Sequence, residues 1–291
     1  VITLESDVKE AIETFGVDQK YSEYSLQDHE TWRLATEALE EVLVGHTAVN
    51  YKESFVSTGM TKSAIPSLEM VQEALGRWGW SAIVVDGFIP PDIFMLLQAN
   101  SILPISKPIR SRSQLGYTPI PDIIHEAAGH LPMLHSAEYR DFLQRLGELG
   151  ANTQLNEIDM QLYHAQKHIA ELLAEEVADR QVLEEAERAV EKAKNIAENS
   201  PPSPARRVAR FHWWTVEYGL IGPDHKIYGA GLLSSVSEAA KYQEAKHERL
   251  SVACSDRGFE IDHIQPIYYV ADSWEHLMHE LENLEHYIGY A

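Results

Sequence analysis

The chain has 291 residues, a formal net charge of −21, 44% hydrophobic and 24% charged side chains, and a single cysteine. That length suits one large domain or two small ones, and the acidity argues against nucleic acid, whose phosphates require a basic surface. No apolar run is long enough to span a membrane, the N-terminal VITLESDVKEAIETFG is too acidic for a signal peptide, and a lone Cys254 fits a reducing cytoplasm, the expected location.

In chain order, residues 1–60 read as short amphipathic helices joined by loops. A helix is expected around Leu68–Arg77, followed by Trp78-Gly79-Trp80 and an apolar run at Ser81–Val85 that turns at Asp86-Gly87. Pro90-Pro91-Asp92 opens the next helix, which carries Phe94, because proline suits a first helical turn. From Ser101 to Pro121 the chain is extended and loop-rich. Residues 155–199 change character: Leu155, Ile158, Leu162, Ile169, Leu173, Val177, Val190 and Ile196 recur at helical spacing, with no glycine or proline. That pattern predicts one long helix or an antiparallel helical pair. Ser203-Pro204 then caps a helix from Ala205 to Tyr218, which Gly219 stops. Ile264–Val270 reads as a strand, and Asp272-Ser273 caps a final helix to about His286.

The stretch Pro121-Asp122-Ile123-Ile124-His125-Glu126-Ala127-Ala128-Gly129-His130 holds two imidazoles and a carboxylate within six residues. A zinc hydrolase using Glu126 as base would need its second His at i+4, and here it stands at i+5. On a regular α-helix an i,i+5 pair diverges by roughly 140°, against roughly 40° for i,i+4. A left-handed Gly129, with Pro132 turning Leu131 out of the helix, would swing His130 back toward His125. Two imidazoles and one carboxylate on one face of a metal mark a non-haem Fe(II) site, so a third ligand is required. Glu217, in Trp213-Trp214-Thr215-Val216-Glu217-Tyr218-Gly219-Leu220, is the candidate, since a carboxylate among apolar neighbours needs a counter-charge. Periodicity alone favours a solvent-facing Glu217. His164 and His168, an i,i+4 pair on a polar helix, read as solvated, as do His276 and His279.

Four strings, YTPIPDIIHEAAGHLPML, WWTVEYGL, YGAGLLSS and IQPIYYVADSW, resemble in the same order segments of the pterin-dependent aromatic amino acid hydroxylases. The likeness extends over roughly Gly87 to Trp274, and is to the bacterial subgroup with a helical insertion before the third ligand. It implies an α+β, predominantly helical catalytic domain with a small antiparallel sheet, a single domain over 1–291 with the insertion at about 155–199. It implies ring hydroxylation of an aromatic L-amino acid with Fe(II), tetrahydrobiopterin and O2. Phenylalanine is the first choice of substrate, with tryptophan or tyrosine as alternatives.

Carried over by position, the resemblance makes His125, His130 and Glu217 the iron ligands, and Glu126 an acid near pterin and iron-bound water. Arg110 would meet the substrate α-carboxylate, held by Asp122. Thr118 and Ser234 would add hydrogen bonds near the substrate and the first histidine. Trp213, Pro121 and Tyr218 would line the aromatic pocket, Phe94 would stack on the pterin, and Gly87–Ile89 would read its edge. The chain departs from the family at Ile120, where an acid is expected, at His212, where many relatives carry tyrosine, and at Pro104, where many animal relatives carry histidine.

Overall fold

The computed structural model describes residues 5–86, 89–115, 122–174, 179–261 and 263–290. It begins with helices α1 (Glu5–Phe15), α2 (Leu26–Leu43) and α3 (Tyr51–Ser57). α2 is longer than the short helices expected: Ser25 and Asp28 close a capping box at its start, and Trp32, Leu39 and Leu43 anchor it in the core. Next come α4 (Leu68–Gly76), β1 (Ser81–Val85), α5 (Pro91–Ala99) and β2 (Ile102–Ser106). β1 and β2 pair in parallel, from Ser81 opposite Ile102 to Val85 opposite Ser106, with α5 as the crossover. Pro104 is tolerated there because β2 has β1 as its one partner and is an edge strand.

A π-helical segment at Ile124–His130 runs into α6 (Leu131–Met133) and then α7 (Ala137–Ala151). The 155–199 region forms a helical pair, α8 (Glu157–Ala174) and α9 (Arg180–Glu198), packed on each other. α10 (Pro204–His212), capped by Ser203, leads to a second π-helical segment at Trp213–Glu217. The chain finishes with β3 (Leu220–Ile221), β4 (Lys226–Ile227), α11 (Ala230–Leu233), α12 (Val236–Ala239), β5 (Lys246–Arg249), β6 (Ile267–Ala271) and α13 (Trp274–Tyr287).

The second sheet, ordered β4-β3-β6-β5, corrects one expectation. The sheets are small, as the fold class required, but only β3 with β4 is antiparallel; β6 runs parallel to both β3 and β5. The tight turn from β3 to β4 forces their antiparallel pairing, whereas long connections bring the chain back to β6 in the same sense. One apolar core joins α2, the first π segment, α7, α10, β6 and α13 through Trp32, Ala127, Phe142, Phe211, Tyr268 and Leu277. His164 and His168 are exposed as expected, but the His276 side chain is 9% exposed and sits between Asp272 and Glu280.

Candidate active site

His125 and His130 do meet, though not by the route the spacing suggested. Gly129 is not left-handed, and Leu131 stays helical at φ −58°, ψ −44°. Instead Ile124–His130 winds as a π-helix, whose wider turn brings residues five apart over one another. Pro132 has no N–H to offer the Ala128 carbonyl four residues back. The buried Tyr51 hydroxyl donates to that oxygen at 2.9 Å. Gly129 serves close approach: a Cβ there would stand 2.6 Å from the Ala230 carbonyl oxygen, at the start of α11.

Glu217 ends the second π segment, so the helix expected from Ala205 to Tyr218 changes its winding at Trp213. The carboxylate is thereby turned inward onto both histidines. His125 Nε2 and His130 Nε2 lie 3.3 Å apart, and each lies 3.4 Å from a Glu217 oxygen. His125 faces Oε2 and His130 faces Oε1, so the carboxylate spans the two imidazoles and leaves a space that suits one ion about 2 Å from each donor. A Glu126 oxygen also stands near the pair, but at 3.8 Å from His130 Nε2 it is farther than Glu217. His125, Glu126 and His130 also offer three donor atoms within 4.8 Å of one another.

The donor chemistry agrees with the geometry. The Ser234 hydroxyl donates to the Ala230 carbonyl at 2.8 Å, so its oxygen accepts from His125 Nδ1, 2.9 Å away. That tautomer leaves the His125 Nε2 lone pair facing Glu217. Burial pushes the His125 pKa down to about 4 against the pull of Glu217, which keeps the ring neutral, as a ligand must be. Burial acts to raise Glu217, but the charges of His130 and then His125 outweigh it and hold the carboxylate low. Burial likewise opposes a charge on His130, yet Glu217 draws its pKa upward. A buried carboxylate facing two imidazoles requires one positive charge, and a bound cation supplies it while leaving both rings neutral. Burial raises Glu126 to about 8, and its Oε2 has no hydrogen-bond partner among the described residues.

Arg110 and Asp122 are both buried and form a bidentate pair, Nε to Oδ2 at 2.9 Å and Nη2 to Oδ1 at 2.7 Å. Asp122 also accepts from the Arg110 backbone N–H at 2.8 Å and the His125 backbone N–H at 3.0 Å, and Arg110 Nη1 donates to the Ser234 carbonyl. Asp122 thus links the guanidinium to His125. Trp213 stacks on Phe259 at 4.1 Å and meets Tyr218 at 4.8 Å, while its Nε1 donates to Gln265. Phe94 lies edge-on to His212 at 5.7 Å, and His212 Nδ1 is 3.8 Å from Glu217. Burial lowers His212 to about 4, so that ring too is neutral. Ile89 is half-buried in the loop before α5. Gly87, Thr118 and Pro121 lie outside the described residues.

Sequence reasoning treated His212 as a departure and passed over Phe259 and Gln265. A lone aromatic in the polar stretch Ser255-Asp256-Arg257-Gly258-Phe259-Glu260 was the available signal for Phe259. Nothing local marked Gln265: its Nε2 donates to the nearby Glu260 and His263 carbonyls, but Trp213 and Glu238 reach it from distant segments.

The chain matches the model of the biopterin-dependent aromatic amino acid hydroxylase family over residues 11–166 and 199–289. It is 28% identical over 271 residues to phenylalanine-4-hydroxylase of Ralstonia nicotianae, covering 90% of this chain and 72% of that one. The Chromobacterium violaceum phenylalanine-4-hydroxylase is 26% identical over 270 residues, covering 90% and 75%. Among solved structures, phenylalanine hydroxylase of Legionella pneumophila superposes with a TM-score of 0.70 at 26% identity over 94% of each chain. The Chromobacterium violaceum enzyme holding iron(III) and 7,8-dihydrobiopterin gives 0.72 at 22% identity, over 100% of this chain and 94% of that one, a likeness of fold.

Proposed function

The chain belongs to the biopterin-dependent aromatic amino acid hydroxylase family, and on that premise we propose that it is a phenylalanine 4-monooxygenase converting phenylalanine to tyrosine. Membership replaces the zinc hydrolase as a reading of the His-Glu motif. The single observation that carries the metal assignment is the convergence of His125 Nε2 and His130 Nε2, 3.3 Å apart, on the Glu217 carboxylate, each 3.4 Å from one of its oxygens. Those three side chains would hold the Fe(II) ion. Bound iron and pterin together supply the activation of O2, one atom of which enters the ring while the pterin provides the electrons that reduce the other.

The side chains bind, orient and exclude water. Arg110 meets the amino-acid carboxylate with the guanidinium hydrogens left over once Asp122 occupies its Nε–Nη2 edge and the Ser234 carbonyl takes one from Nη1. Trp213 and Tyr218 bound the ring pocket, and Ser234 adds a hydrogen bond. Phe94 offers a face to the pterin, whose edge Ile89 reads, and Glu126 acts as an acid beside it. The relatives named phenylalanine-4-hydroxylases support phenylalanine as substrate. The reading takes 1–291 as one catalytic domain with an insertion, and the one cysteine, buried Cys254, supports a cytoplasmic location. Among the described residues no helix is long and apolar enough to cross a membrane.

The test supplies Fe(II), tetrahydrobiopterin and O2 with phenylalanine, tyrosine or tryptophan in turn, and identifies the product by chromatography. Tyrosine formed from phenylalanine, and lost in Glu217→Ala together with the iron, is the expected result. Turnover of tryptophan without phenylalanine overturns the substrate; full activity in Glu217→Ala overturns the ligand set.

A further inference from the structure

A second pair of imidazoles stands at the turn between β3 and β4, apart from the site above. We propose that His225 and His247 form a binding site for a divalent transition ion of the zinc or copper class. His225 Nδ1 and His247 Nδ1 face each other at 2.6 Å. His247 Nε2 lies 2.9 Å from the Tyr242 carbonyl oxygen, which can only accept, so Nε2 carries the hydrogen. A neutral His247 therefore aims its bare Nδ1 at His225. A carbonyl that fixes one ring nitrogen so that the other presents a lone pair is how metal-ligating histidines are oriented.

Both rings are held in place. Tyr242 lies nearly parallel to the His247 ring, centroids 6.1 Å apart, and Tyr268 meets it edge-on at 6.0 Å. His225 sits at φ +52°, a left-handed conformation that side chains disfavour, and its N–H donates to the Gly222 carbonyl at 3.1 Å. Burial and the neighbouring His247 lower the His225 pKa, favouring the neutral ligand form. At 2.6 Å the two Nδ1 atoms share a hydrogen, and a cation that takes its place parts the rings to about 3.3 Å, the spacing of two nitrogens each about 2 Å from one ion. A cavity of about 300 Å³, lined by Gly222, Pro223, His225, His247, Arg249 and Asp272, leaves room for water to complete a coordination shell. Arg249 is paired with Asp272 there, Nη2 to Oδ2 at 2.6 Å, so its charge is matched. Imidazole donors select zinc, copper or nickel over the oxygen-seeking calcium and magnesium. An ion here ties the β3–β4 turn to β5. β3 begins three residues after Glu217, and β4 leads into the segment that carries Ser234.

Iron-loaded protein dialysed against micromolar Zn2+ and analysed for both metals tests this. The wild type is expected to keep its iron and gain about one zinc per chain. His225→Ala and His247→Ala should each lose that zinc and keep the iron, while the exposed His164→Ala/His168→Ala variant retains both. A zinc-induced rise in Tm should be present in the wild type and absent from both single variants. No zinc gained by the wild type, zinc gained only as iron is lost, or undiminished zinc in His225→Ala and His247→Ala overturns the proposal.

Discussion

The Ser234 hydroxyl has one hydrogen and directs it to the Ala230 carbonyl, which leaves its oxygen to receive His125 Nδ1–H. Ser234→Ala removes that acceptor and frees the ring to rotate or change tautomer. Iron affinity is expected to fall roughly ten- to a hundred-fold, with the fold intact by circular dichroism. An unchanged Fe(II) titration would show that packing alone orients His125. Arg110 makes a different kind of contribution, because Asp122 already holds one edge of its guanidinium. Arg110→Lys keeps the charge and loses the fork, so the amino-acid KM should rise about ten-fold or more, on the order of 1.4 kcal/mol, with iron content and pterin KM nearly unchanged. Near-normal amino-acid kinetics in an iron-loaded Arg110→Lys would remove it from substrate binding. Both roles follow from atoms that converge from distant segments, which is why residue type alone suggested them only through the family resemblance.

At the scale of elements, the two π segments are what bring His125, His130 and Glu217 together. An α-helix would separate His125 from His130 around the axis, and the π winding realigns them. Its weak point is the Ala128 carbonyl, which lacks an N–H from Pro132 and takes the Tyr51 hydroxyl instead. Tyr51→Phe leaves that buried oxygen without this donor. Denaturant unfolding should register a loss of about 1–2 kcal/mol. Iron binding should weaken as well, since the segment carries both histidines. Retained stability in Tyr51→Phe would mean that the carbonyl finds another donor within the helix. The sequence made Gly129 and Pro132 conspicuous and their local roles were misread. Gly129 accommodates α11 rather than a left-handed turn, a contact that arises from a segment a hundred residues away.

At the scale of the molecule, the α8–α9 pair falls largely outside the family match, which is interrupted between 166 and 199. Its one buried tie to the catalytic part is Asp159 among the described ion pairs: Ser203 Oγ lies 2.5 Å from Oδ2, and Arg206 Nη2 lies 2.7 Å from Oδ1. Arg206 belongs to α10, the helix that runs into the segment bearing Glu217. Deleting the pair while keeping Asp159, with a short linker across roughly 164–196, should leave iron binding intact. Asp159→Ala in the full chain leaves a largely buried guanidinium unpaired and should destabilise it by about 3 kcal/mol. A shortened protein that folds but cannot hold iron would show that the insertion shapes the site.

The one-dimensional pattern was enough for the helices whose apolar residues recur every third or fourth position. It also marked the caps at Ser203 and Ser273, and the candidates His125, His130 and Glu217. These are local signals: periodicity, turn chemistry and the company a carboxylate keeps. Strand direction, the π winding, the Asp122 link from Arg110 to His125, and the stacking of Phe259 on Trp213 were decided in three dimensions. Each joins residues far apart in the chain, or depends on how tightly one backbone presses another, and such distances leave no periodic trace among neighbouring residues.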